Sequence, residues 1–514
     1  MTFPDRIPPP RTLWNRALRH MEPPVFFGSA ALVIAFVVYG AGWTEDAAAA
    51  FRTTQEFVTA HFGWWYAVAV TGFLIATLAL LATPARHVRL GGPDARPEFS
   101  KPAWFAMLFA AGMGIGLIYF GVAEPLFHYT DPPRAAPETA AALREGMRFS
   151  FFHWGLHAWG IYAILALAVA HAHFNRGLPL APRSVLEPLI GRRHEGWIGH
   201  GVDILCTVGT LLGVATSLGL GAMQIGASLE RFFGWQSATP LHTGIVAVIT
   251  VAATVSVVSG VQRGVRRLSE ATLAMLLLLM VWTFFAGPTL YALELLISTF
   301  GGYVQRLPAM SLWLDPGAGS DWQTDWTLFY WGWWISWSPF VAIFVARVSK
   351  GRTVKEFVLG VLLAPTGLTF VWLATFGGAA LHAATAAGDA AILSAVQEDV
   401  SASLQELLSR LALPTLTTAA ATAVIALFFV TSSDSGSLVD DMVTSGGDPN
   451  PPTAQRVFWA LSEGAVAVVL LLLGGLSAIR NAAISLGLPM SLVVLAAAFA
   501  VWTSLGRDPM ARRG

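Results

Sequence analysis

Long apolar stretches separated by short polar segments run along almost the whole chain. Each stretch holds about 20 residues, the length that a helix needs to cross roughly 30 Å of hydrocarbon. We count twelve of them, at residues 24–43, 63–83, 104–121, 149–171, 198–226, 244–260, 271–291, 326–348, 358–376, 415–431, 458–473 and 484–502. The runs are continuous and lack the two-residue alternation of a membrane β-barrel, so they predict an all-α polytopic membrane protein with twelve transmembrane helices.

The basic residues predict how these helices are oriented, because cytoplasmic loops carry an excess of Lys and Arg. Such residues follow the second, fourth, sixth and eighth stretches: Arg86, Arg89, Arg96 and Lys101, then Arg176, Arg183, Arg192 and Arg193, then Arg263, Arg266 and Arg267, then Arg347, Lys350, Arg352 and Lys355. We therefore expect both termini in the cytoplasm. Residues 1–23 would be a tail, 24–503 one transmembrane domain, and 504–514 a short C-terminal tail.

Composition agrees with a membrane protein and narrows the classes of function. The 514 residues are 55% hydrophobic and 12% charged, with a mean hydropathy of +0.60, whereas about a quarter of a soluble protein is charged. A formal net charge of zero offers no basic field for nucleic acid, so we expect membrane lipids and a small solute as partners. The single cysteine, Cys206, lies in an apolar run and predicts a small buried side chain.

Tryptophan is concentrated in two of the predicted helices. Four of the 20 tryptophans fall within seven residues, at Trp331, Trp333, Trp334 and Trp337. At about 100° per residue the last three share an arc of about 100°, with Trp331 about 60° further round. On the fourth stretch Trp154, Trp159 and Tyr162 fall within an arc of about 140°. Both helices can therefore present rings to a common cavity.

Such rings suit a permanently methylated cation, which has no hydrogen bond to donate and no proton to lose. Aromatic faces attract a cation at about 0.5 to 2 kcal/mol per ring once water is excluded, and their apolar surface suits methyl groups. The alternative is that the rings belong to the aromatic belts at the membrane interfaces. That alternative fits tryptophans near the ends of the stretches, but Trp337 lies about 11 residues into its stretch, near the bilayer centre.

Two further segments have polar character inside apolar stretches. Gly112, Gly114 and Gly116 alternate with Met113 and other apolar residues on the third stretch. This run predicts a discontinuous helix that exposes backbone carbonyls, or else close packing of two helices through Gly112 and Gly116.

The tenth stretch ends in a cluster of hydroxyls beside an acid, from Thr431 and Ser432 to Ser437. Hydroxyl and carbonyl oxygens suit a small hard cation such as sodium, and the alternative is that the hydroxyls bond back to their own helix.

Other functions are less compatible with these residues. A channel needs a continuous polar pore, and here indoles block the candidate pathway. An intramembrane enzyme needs a catalytic cluster; His153 and His157 lie one turn apart, but the zinc-protease pattern fails and no third ligand is evident. A neutral amino-acid symporter would not need so many rings. Glu294 and Glu463, acids near the ends of stretches or within them, are further functional candidates without an identified partner.

Several motifs together resemble the betaine/carnitine/choline transporters. They are the glycine run at 112–116, Gly-Val-Ala-Glu-Pro at 121–125, His-Trp-Gly-Leu-His-Ala-Trp from His153 through Tyr162, Trp-Trp-Ile-Ser-Trp-Ser-Pro-Phe at 333–340, and Thr-Ser-Ser-Asp-Ser at 431–435. The resemblance in layout extends from the first helix to the twelfth, and the tryptophan-rich eighth helix is its most specific part.

This resemblance implies a LeuT-type fold of two inverted five-helix repeats, at residues 104–300 and 326–503, with two additional helices at 24–83. The substrate would lie in an aromatic box of Trp154, Trp159, Tyr162 and Trp334, with Trp337 beside it and Phe329, Trp331 and Trp333 on the path leading in. The unwound segment from Gly112 through Met113 and Gly114 to Gly116 would meet the other end of the substrate. Members of the family are expected to be trimers.

The resemblance also implies a coupling ion, with no other cofactor. One sodium ion would be held by groups of Ala110, Met113, Phe428, Thr431 and Ser432, and a second would involve Thr210 and Phe340, although Val214 stands where a hydroxyl is expected. Sodium coupling, proton-coupled choline uptake and cation-independent exchange remain open. So does the substrate, whether betaine, choline, carnitine, ectoine or a sulfonium analogue. The short C-terminal tail predicts no built-in osmotic sensing.

Overall fold

The computed structural model describes residues 21–112, 114–259, 262–315, 321–448 and 451–511, without the side chains of residues 110, 111, 257, 259 and 262–269. Within these ranges the chain is helical and has no β-strand, apart from an isolated bridge between Arg89 and Thr353. Its long helices, labelled in chain order, are α1 (Pro23–Gly42), α2 (Thr44–Ala79), α3 (Lys101–Gly112), α4 (Ile115–Thr130), α5 (Ala140–Trp154), α6 (Leu156–Arg176), α7 (Trp197–Phe233), α8 (Thr239–Ser259), α9 (Gln262–Ala286), α10 (Thr289–Ser311), α11 (Phe329–Val348), α12 (Val354–Ala384), α13 (Pro414–Thr444), α14 (Thr453–Leu472) and α15 (Leu476–Arg507).

Ten helical stretches of the described residues are long and apolar enough to cross a membrane. They correspond to the predicted stretches other than the third and the seventh, which confirms the predicted class of polytopic helical membrane protein. The third stretch is divided between α3 and α4. In the seventh, the part of α9 from Glu270 to Ala286 and helix α10 meet at an angle of 107°.

Several predicted helix ends differ from the structure. Helix α9 ends at Ala286, before the predicted residue 291, because Pro288 cannot donate a backbone hydrogen bond. Helix α13 continues to Thr444, so the hydroxyl cluster from Thr431 onward lies inside a helix and not at its end. Helix α15 continues to Arg507, four residues beyond the predicted end of the transmembrane domain at 503. In the extended part of α13, Ser433 and Ser437 have a hydrogen-bond partner on a neighbouring helix, Glu463 of α14.

The centre of the molecule is formed by α5 and α6 together with α11. In the most apolar windows of both regions, 94% of the residues are buried against other helices. The corresponding fractions are 33% for α1 and 22% for α8, so these two helices lie at the periphery. The tryptophan-rich segments are thus the innermost part of the fold, away from the positions that an interfacial aromatic belt occupies.

The loops that carry the predicted cytoplasmic charges meet at one end of the molecule. The backbone of Leu90 exchanges hydrogen bonds with the loop after α11, at Gly351 and Arg352. Asn175, at the end of α6, accepts a hydrogen bond from the backbone N–H of Gly91 (2.9 Å) and donates to Asp508 beyond α15 (3.4 Å). These contacts place the two loops, the end of α6 and the end of α15 on one face, as the distribution of Lys and Arg predicts.

Candidate functional site

The glycine run interrupts a helix where aromatic rings approach the backbone. Helix α3 ends at Gly112 and α4 begins at Ile115, and Gly114 between them has φ −139° and ψ −127°. A Cβ atom on Gly112 would lie 2.4 Å from Cη2 of Trp159, and one on Gly116 would lie 2.5 Å from Cη2 of Trp333. Any larger residue would displace a ring. The predicted break is therefore present, while Met113 lies outside the described residues.

A second break divides the predicted fourth stretch at Gly155. Helix α5 ends at Trp154 and α6 begins at Leu156, with Gly155 at φ −98° and ψ −140°. A Cβ atom on Gly155 would lie 2.4 Å from the carbonyl oxygen of Phe151, so only glycine fits. Sequence analysis did not predict this break, because a lone glycine in an apolar run is compatible with an unbroken helix.

Four residues predicted to form an aromatic box are buried together where α5, α6 and α11 meet. The ring of Trp334 lies 4.9 Å from that of Trp154 and 6.4 Å from that of Tyr162, both nearly perpendicular to it. The rings of Trp159 and Tyr162 are 5.5 Å apart. None of the four side chains is more than 1% exposed. The structure thus brings together residues from both tryptophan-rich segments.

The other predicted rings of α11 extend this group into a stacked column. Trp333 stacks on Trp334 at 4.8 Å and 16°, Trp337 on Trp333 at 6.2 Å and 14°, and Phe340 on Trp337 at 5.7 Å and 4°. At the other end Phe329 stacks on Trp333 at 5.5 Å and 23°. The column therefore runs alongside the box for most of the length of α11.

Trp331 lies outside this column. Its ring stacks on that of His157 at 5.6 Å and 24°, and it packs edge-on against Phe152 at 5.1 Å. The offset of about 60° on the helical wheel therefore separates Trp331 from its neighbours, and its predicted place on the pathway stays a prediction.

A cavity next to the column is lined by residues predicted to bind sodium. Its volume is about 160 Å³, and Gly114, Trp337, Phe340, Thr431 and Ser432 lie in its wall. Further lining residues are Met107, Ile115, Ser217, Thr272, Leu273, Phe344, Phe428 and Ser435. The break in the α3–α4 segment, the end of the tryptophan column and the hydroxyl cluster of α13 thus meet in one place.

The residues of the two predicted sodium sites differ in their hydrogen bonds and in their packing. The hydroxyl of Thr431 donates to carbonyl oxygens of its own helix, at Leu427 (3.0 Å) and Phe428 (3.2 Å). Thr210 is fully buried, and its hydroxyl has no hydrogen-bond partner within the ranges described. Val214 packs against Gly436 of α13, where a Cβ atom would meet it at 2.6 Å. The side chain of Ala110 is outside the described part of the chain.

A wider cavity of about 540 Å³ lies near the beginning of α11. Its wall contains Arg480, whose guanidinium carbon is 5.3 Å from the ring centre of Trp326 and 5.5 Å from that of Phe329. Asp325 pairs with the same guanidinium at 3.5 Å. Because Phe329 stacks on Trp333, this cavity adjoins the outer end of the tryptophan column.

Glu124 is a central residue that sequence analysis did not single out. It lies on α4, is fully buried, and accepts hydrogen bonds from the indole N–H of Trp154 (2.7 Å) and the hydroxyl of Tyr330 (2.5 Å). Its other oxygen contacts ring nitrogens of His153 (2.7 Å) and His128 (3.2 Å). An acidic residue near an apolar stretch could have indicated a functional role for Glu124. Its hydrogen-bond partners could not be identified in this way, because they come from helices far apart in the sequence.

The comparisons with known proteins decide the family. A model of the BCCT family, described as betaine/carnitine/choline family transporter, matches residues 24–510. The chain belongs to this family. It is therefore a transporter and not an enzyme.

Characterised and uncharacterised relatives share most of the length of this transporter. An uncharacterized transporter of Mycobacterium tuberculosis is 46% identical over 94% of this chain and 83% of its own length. The glycine betaine transporter OpuD of Bacillus subtilis is 40% identical over 96% of both chains. A glycine betaine/proline/choline transporter of Vibrio parahaemolyticus is 38% identical over 94% of this chain and 90% of its own length.

His153 and His157 do not form the pair of metal ligands that was considered from the sequence. His157 stacks on Trp331, and its Nε2 contacts the Ser311 hydroxyl at 3.0 Å. His153 instead joins Glu124 and His128, whose ligand atoms all lie within 4.8 Å of one another. That spacing would allow a metal ion, but Glu124 already contacts His153 at 2.7 Å and His128 at 3.2 Å, as in a hydrogen-bonded polar network.

The two other acids noted in the sequence lie in different environments. Glu463 of α14 is fully buried and accepts hydrogen bonds from the hydroxyls of Ser433 (2.8 Å) and Ser437 (3.1 Å) on α13. Glu294 lies on α10 and is exposed. The hydroxyl cluster of α13 thus faces two ways, since Thr431 and Ser432 line the cavity while Ser433 and Ser437 bind Glu463.

Proposed function

We propose that this transporter imports a quaternary-ammonium solute, such as glycine betaine, choline or carnitine, by sodium symport with alternating access. The observation that carries the proposal is the buried box of Trp154, Trp159, Tyr162 and Trp334 at the centre of the fold. Relatives named as glycine betaine transporters support the same class of substrate.

The box provides what such a solute needs in a dry site. Ring faces from α5, α6 and α11 attract the ammonium group, while their apolar surface accommodates its methyl groups. Within the described residues, the indole N–H groups of Trp159, Trp333 and Trp337 and the hydroxyl of Tyr162 are buried and have no hydrogen-bond partner. A carboxylate or hydroxyl at the far end of the substrate would satisfy one or more of these donors.

The cavity next to Trp337 supports a cation site close to the substrate. Hydroxyls of Thr431 and Ser432 line it, together with the unwound segment at Gly114. Sodium prefers such hydroxyl and carbonyl oxygens, and a broken helix leaves carbonyls free to bind it. An ion held there would stabilise the packing of α13 against the α3–α4 break and so favour the conformation that binds substrate. The second position, at Thr210 and Phe340, is part of the same proposal.

Further parts of the proposal follow from membership of the family. The twelve helices would form a LeuT-type pair of inverted repeats preceded by two additional helices. The protein would be a trimer in the bacterial inner membrane, with the end that carries the basic loops facing the cytoplasm. The cavity at Arg480 would then open to the outside, and substrate would pass from Phe329 along Trp333 to the box.

Proton coupling is the alternative that a specific observation favours. Asp440 on α13 is fully buried, and neither of its carboxyl oxygens has a hydrogen-bond partner in the described ranges. Asp441 is fully buried as well, 3.6 Å from the guanidinium of Arg456. Ionisable groups within membrane helices are typical of proton pathways. The choice between the two ions therefore depends on a direct measurement.

The experiment is uptake of labelled glycine betaine, choline and carnitine into proteoliposomes with an imposed sodium or proton gradient. We expect accumulation of at least one of these solutes with an inward sodium gradient, inhibited by an excess of unlabelled quaternary ammonium and not by leucine. Accumulation with a proton gradient alone would refute sodium symport while leaving the substrate class intact. No uptake or binding of any of the three solutes would refute the proposed function.

A further inference from the structure

Glu124 is bonded as an ionised carboxylate. An ionised carboxylate only accepts hydrogen bonds, whereas a protonated one must donate one. The partners of Glu124 are the indole N–H of Trp154, which can only donate, the hydroxyl of Tyr330, and nitrogens of His153 and His128. All four can donate to it, and among the described residues no other acceptor lies next to the carboxyl group. An ionised Glu124 has a donor for each of these four contacts.

Neutral histidines fit the hydrogen bonds of this arrangement. His153 contacts Glu124 through Nδ1 and the hydroxyl of Thr327 through Nε2 (3.0 Å), and this hydroxyl has no other partner in the described part of the chain. Thr327 thus donates to Nε2, which leaves the ring proton on Nδ1. Nδ1 of His128 is buried without a partner there, so a second proton on His128 would be an unsatisfied buried donor.

With an ionised Glu124 and neutral histidines, the network has one net negative charge. Within the described ranges, the ion-pair contacts of Glu124 are those with His128 and His153, and no Lys or Arg takes part. Its position is fully buried, so water does not screen the charge as it would at the surface.

This charge lies directly behind the aromatic box. The carboxylate holds the N–H edge of Trp154, whose ring packs at 4.9 Å against Trp334. Trp334 in turn donates its N–H to the backbone carbonyl of His153 (2.9 Å), and Tyr330 stacks on it at 5.6 Å and 24°. The carboxylate thus orients Trp154 directly, and it holds His153 and Tyr330, which both contact Trp334. It also polarises the indole of Trp154.

We infer that Glu124 is the fixed counter-charge of the bound ammonium group and that it determines the preference for cationic over neutral solutes. This inference rests on the proposed function. A carboxylate in direct contact would bind a cation tightly and slow its release. A carboxylate separated from the substrate by an indole attracts the cation across the ring, so the site gains charge selectivity and keeps a weak, reversible contact.

The test compares two ligands of the same shape and different charge, choline and 3,3-dimethylbutan-1-ol, in which carbon replaces the ammonium nitrogen. Binding to the purified full-length protein is followed by tryptophan fluorescence, and by competition with labelled choline. Glu124→Gln keeps an acceptor for Trp154 and removes the charge. We expect it to weaken choline binding about tenfold and to leave the alcohol within about twofold of wild type.

A matched variant separates charge from orientation. Tyr330→Phe removes one hydrogen bond from Glu124 and keeps its charge, so choline and the alcohol should change by the same factor. His128→Lys places an ammonium group next to Glu124 and should reproduce the selective loss of choline, which provides a second test if Glu124→Gln does not fold.

The outcomes distinguish the two proposals. If wild type binds choline and the folded charge-neutral variants keep the same preference over the alcohol, Glu124 is not the counter-charge. If wild type binds none of choline, glycine betaine and carnitine, the proposed function itself is refuted.

Discussion

Replacing Trp334 by alanine removes the ring that joins the two halves of the box. Trp334 is 1% exposed and contacts the rings of Trp154 and Tyr162, and it also stacks on Trp333. In the proposed complex its face lies against the ammonium group. The substitution also removes the hydrogen bond from its N–H to the carbonyl of His153.

The expected magnitude follows from one desolvated cation–π contact. Such a contact is worth about 2 kcal/mol, and each 1.4 kcal/mol corresponds to a tenfold change in affinity. We therefore expect the dissociation constant of glycine betaine or choline to rise about 30-fold in Trp334→Ala. Trp334→Phe keeps a ring with a weaker face and should fall between this variant and wild type.

The assay is equilibrium binding of labelled ligand to detergent-solubilised protein, with the thermal midpoint measured on the same samples. Replacing a buried tryptophan by alanine lowers the free energy of unfolding by about 3 to 5 kcal/mol. The control is therefore the same replacement at a buried tryptophan outside the box. Trp459 is 0% exposed, packs on Phe26 and Phe458, and donates to Thr444. Trp459→Ala should lower the thermal midpoint and leave the dissociation constant unchanged.

Wild-type affinity in folded Trp334→Ala would refute the aromatic box. Equal losses of affinity in both variants would show that the effect is general destabilisation and would refute the reasoning in the same way.

Three further predictions test the break, the ion site and an ion pair outside the membrane. Gly112→Ala should abolish most uptake, because its Cβ atom would lie 2.4 Å from the ring of Trp159. The control, Gly367→Ala, should transport normally, because a Cβ atom there meets nothing within 4 Å. Equal activity of the two variants in proteoliposomes would contradict the close approach of Trp159 to Gly112. Thr431→Ala should raise the sodium concentration for half-maximal uptake about tenfold, with the maximal rate recovered at high sodium; an unchanged sodium dependence would exclude this hydroxyl as a ligand. The hydrogen bond from Arg410 (2.6 Å) lowers the pKa of Asp389, so the pair stabilises the fold above the unfolded pKa of about 3.9, and this contribution disappears as the pH falls through the folded value. Asp389→Asn should therefore lower the thermal midpoint at pH 7, and its midpoint should converge with that of wild type as the pH falls through the lowered folded pKa of Asp389. A constant difference between the two midpoints over that range would rule out the ionised pair.

The helical membrane class was predictable because lipid leaves the backbone no other partner. A run of about 20 apolar residues must satisfy its amides internally, so local sequence alone implies a helix. The tryptophans of α11 were identifiable for a related reason, since aromatic residues at mid-span positions such as Trp337 have no interfacial role. The alternating glycines of 112–116 predicted the helix break that the structure contains, because several glycines together weaken a helix.

The arrangement of the site could not be read from local patterns. Trp331 and Trp334 lie on the same helix, yet only the packing of α5 and α6 against α11 decides that Trp331 meets His157 while Trp334 enters the box. The break at Gly155 lies where Tyr303 and Phe370, from helices distant in the sequence, pack close to the backbone, and no periodicity encodes these contacts.

The sequence by itself determined that this chain is a helical membrane protein with aromatic residues and glycines at its centre, because those properties depend on composition and on neighbours a few residues away. The tertiary structure alone decided that Glu124 stands behind the box. Its partner Tyr330 is 206 residues distant in the chain, and the Thr327 that fixes His153 is 174 residues from it. Hydrogen bonds between such residues depend on how the helices pack. Local sequence patterns extend over only a few residues, so they cannot show which distant residues the packing brings into contact.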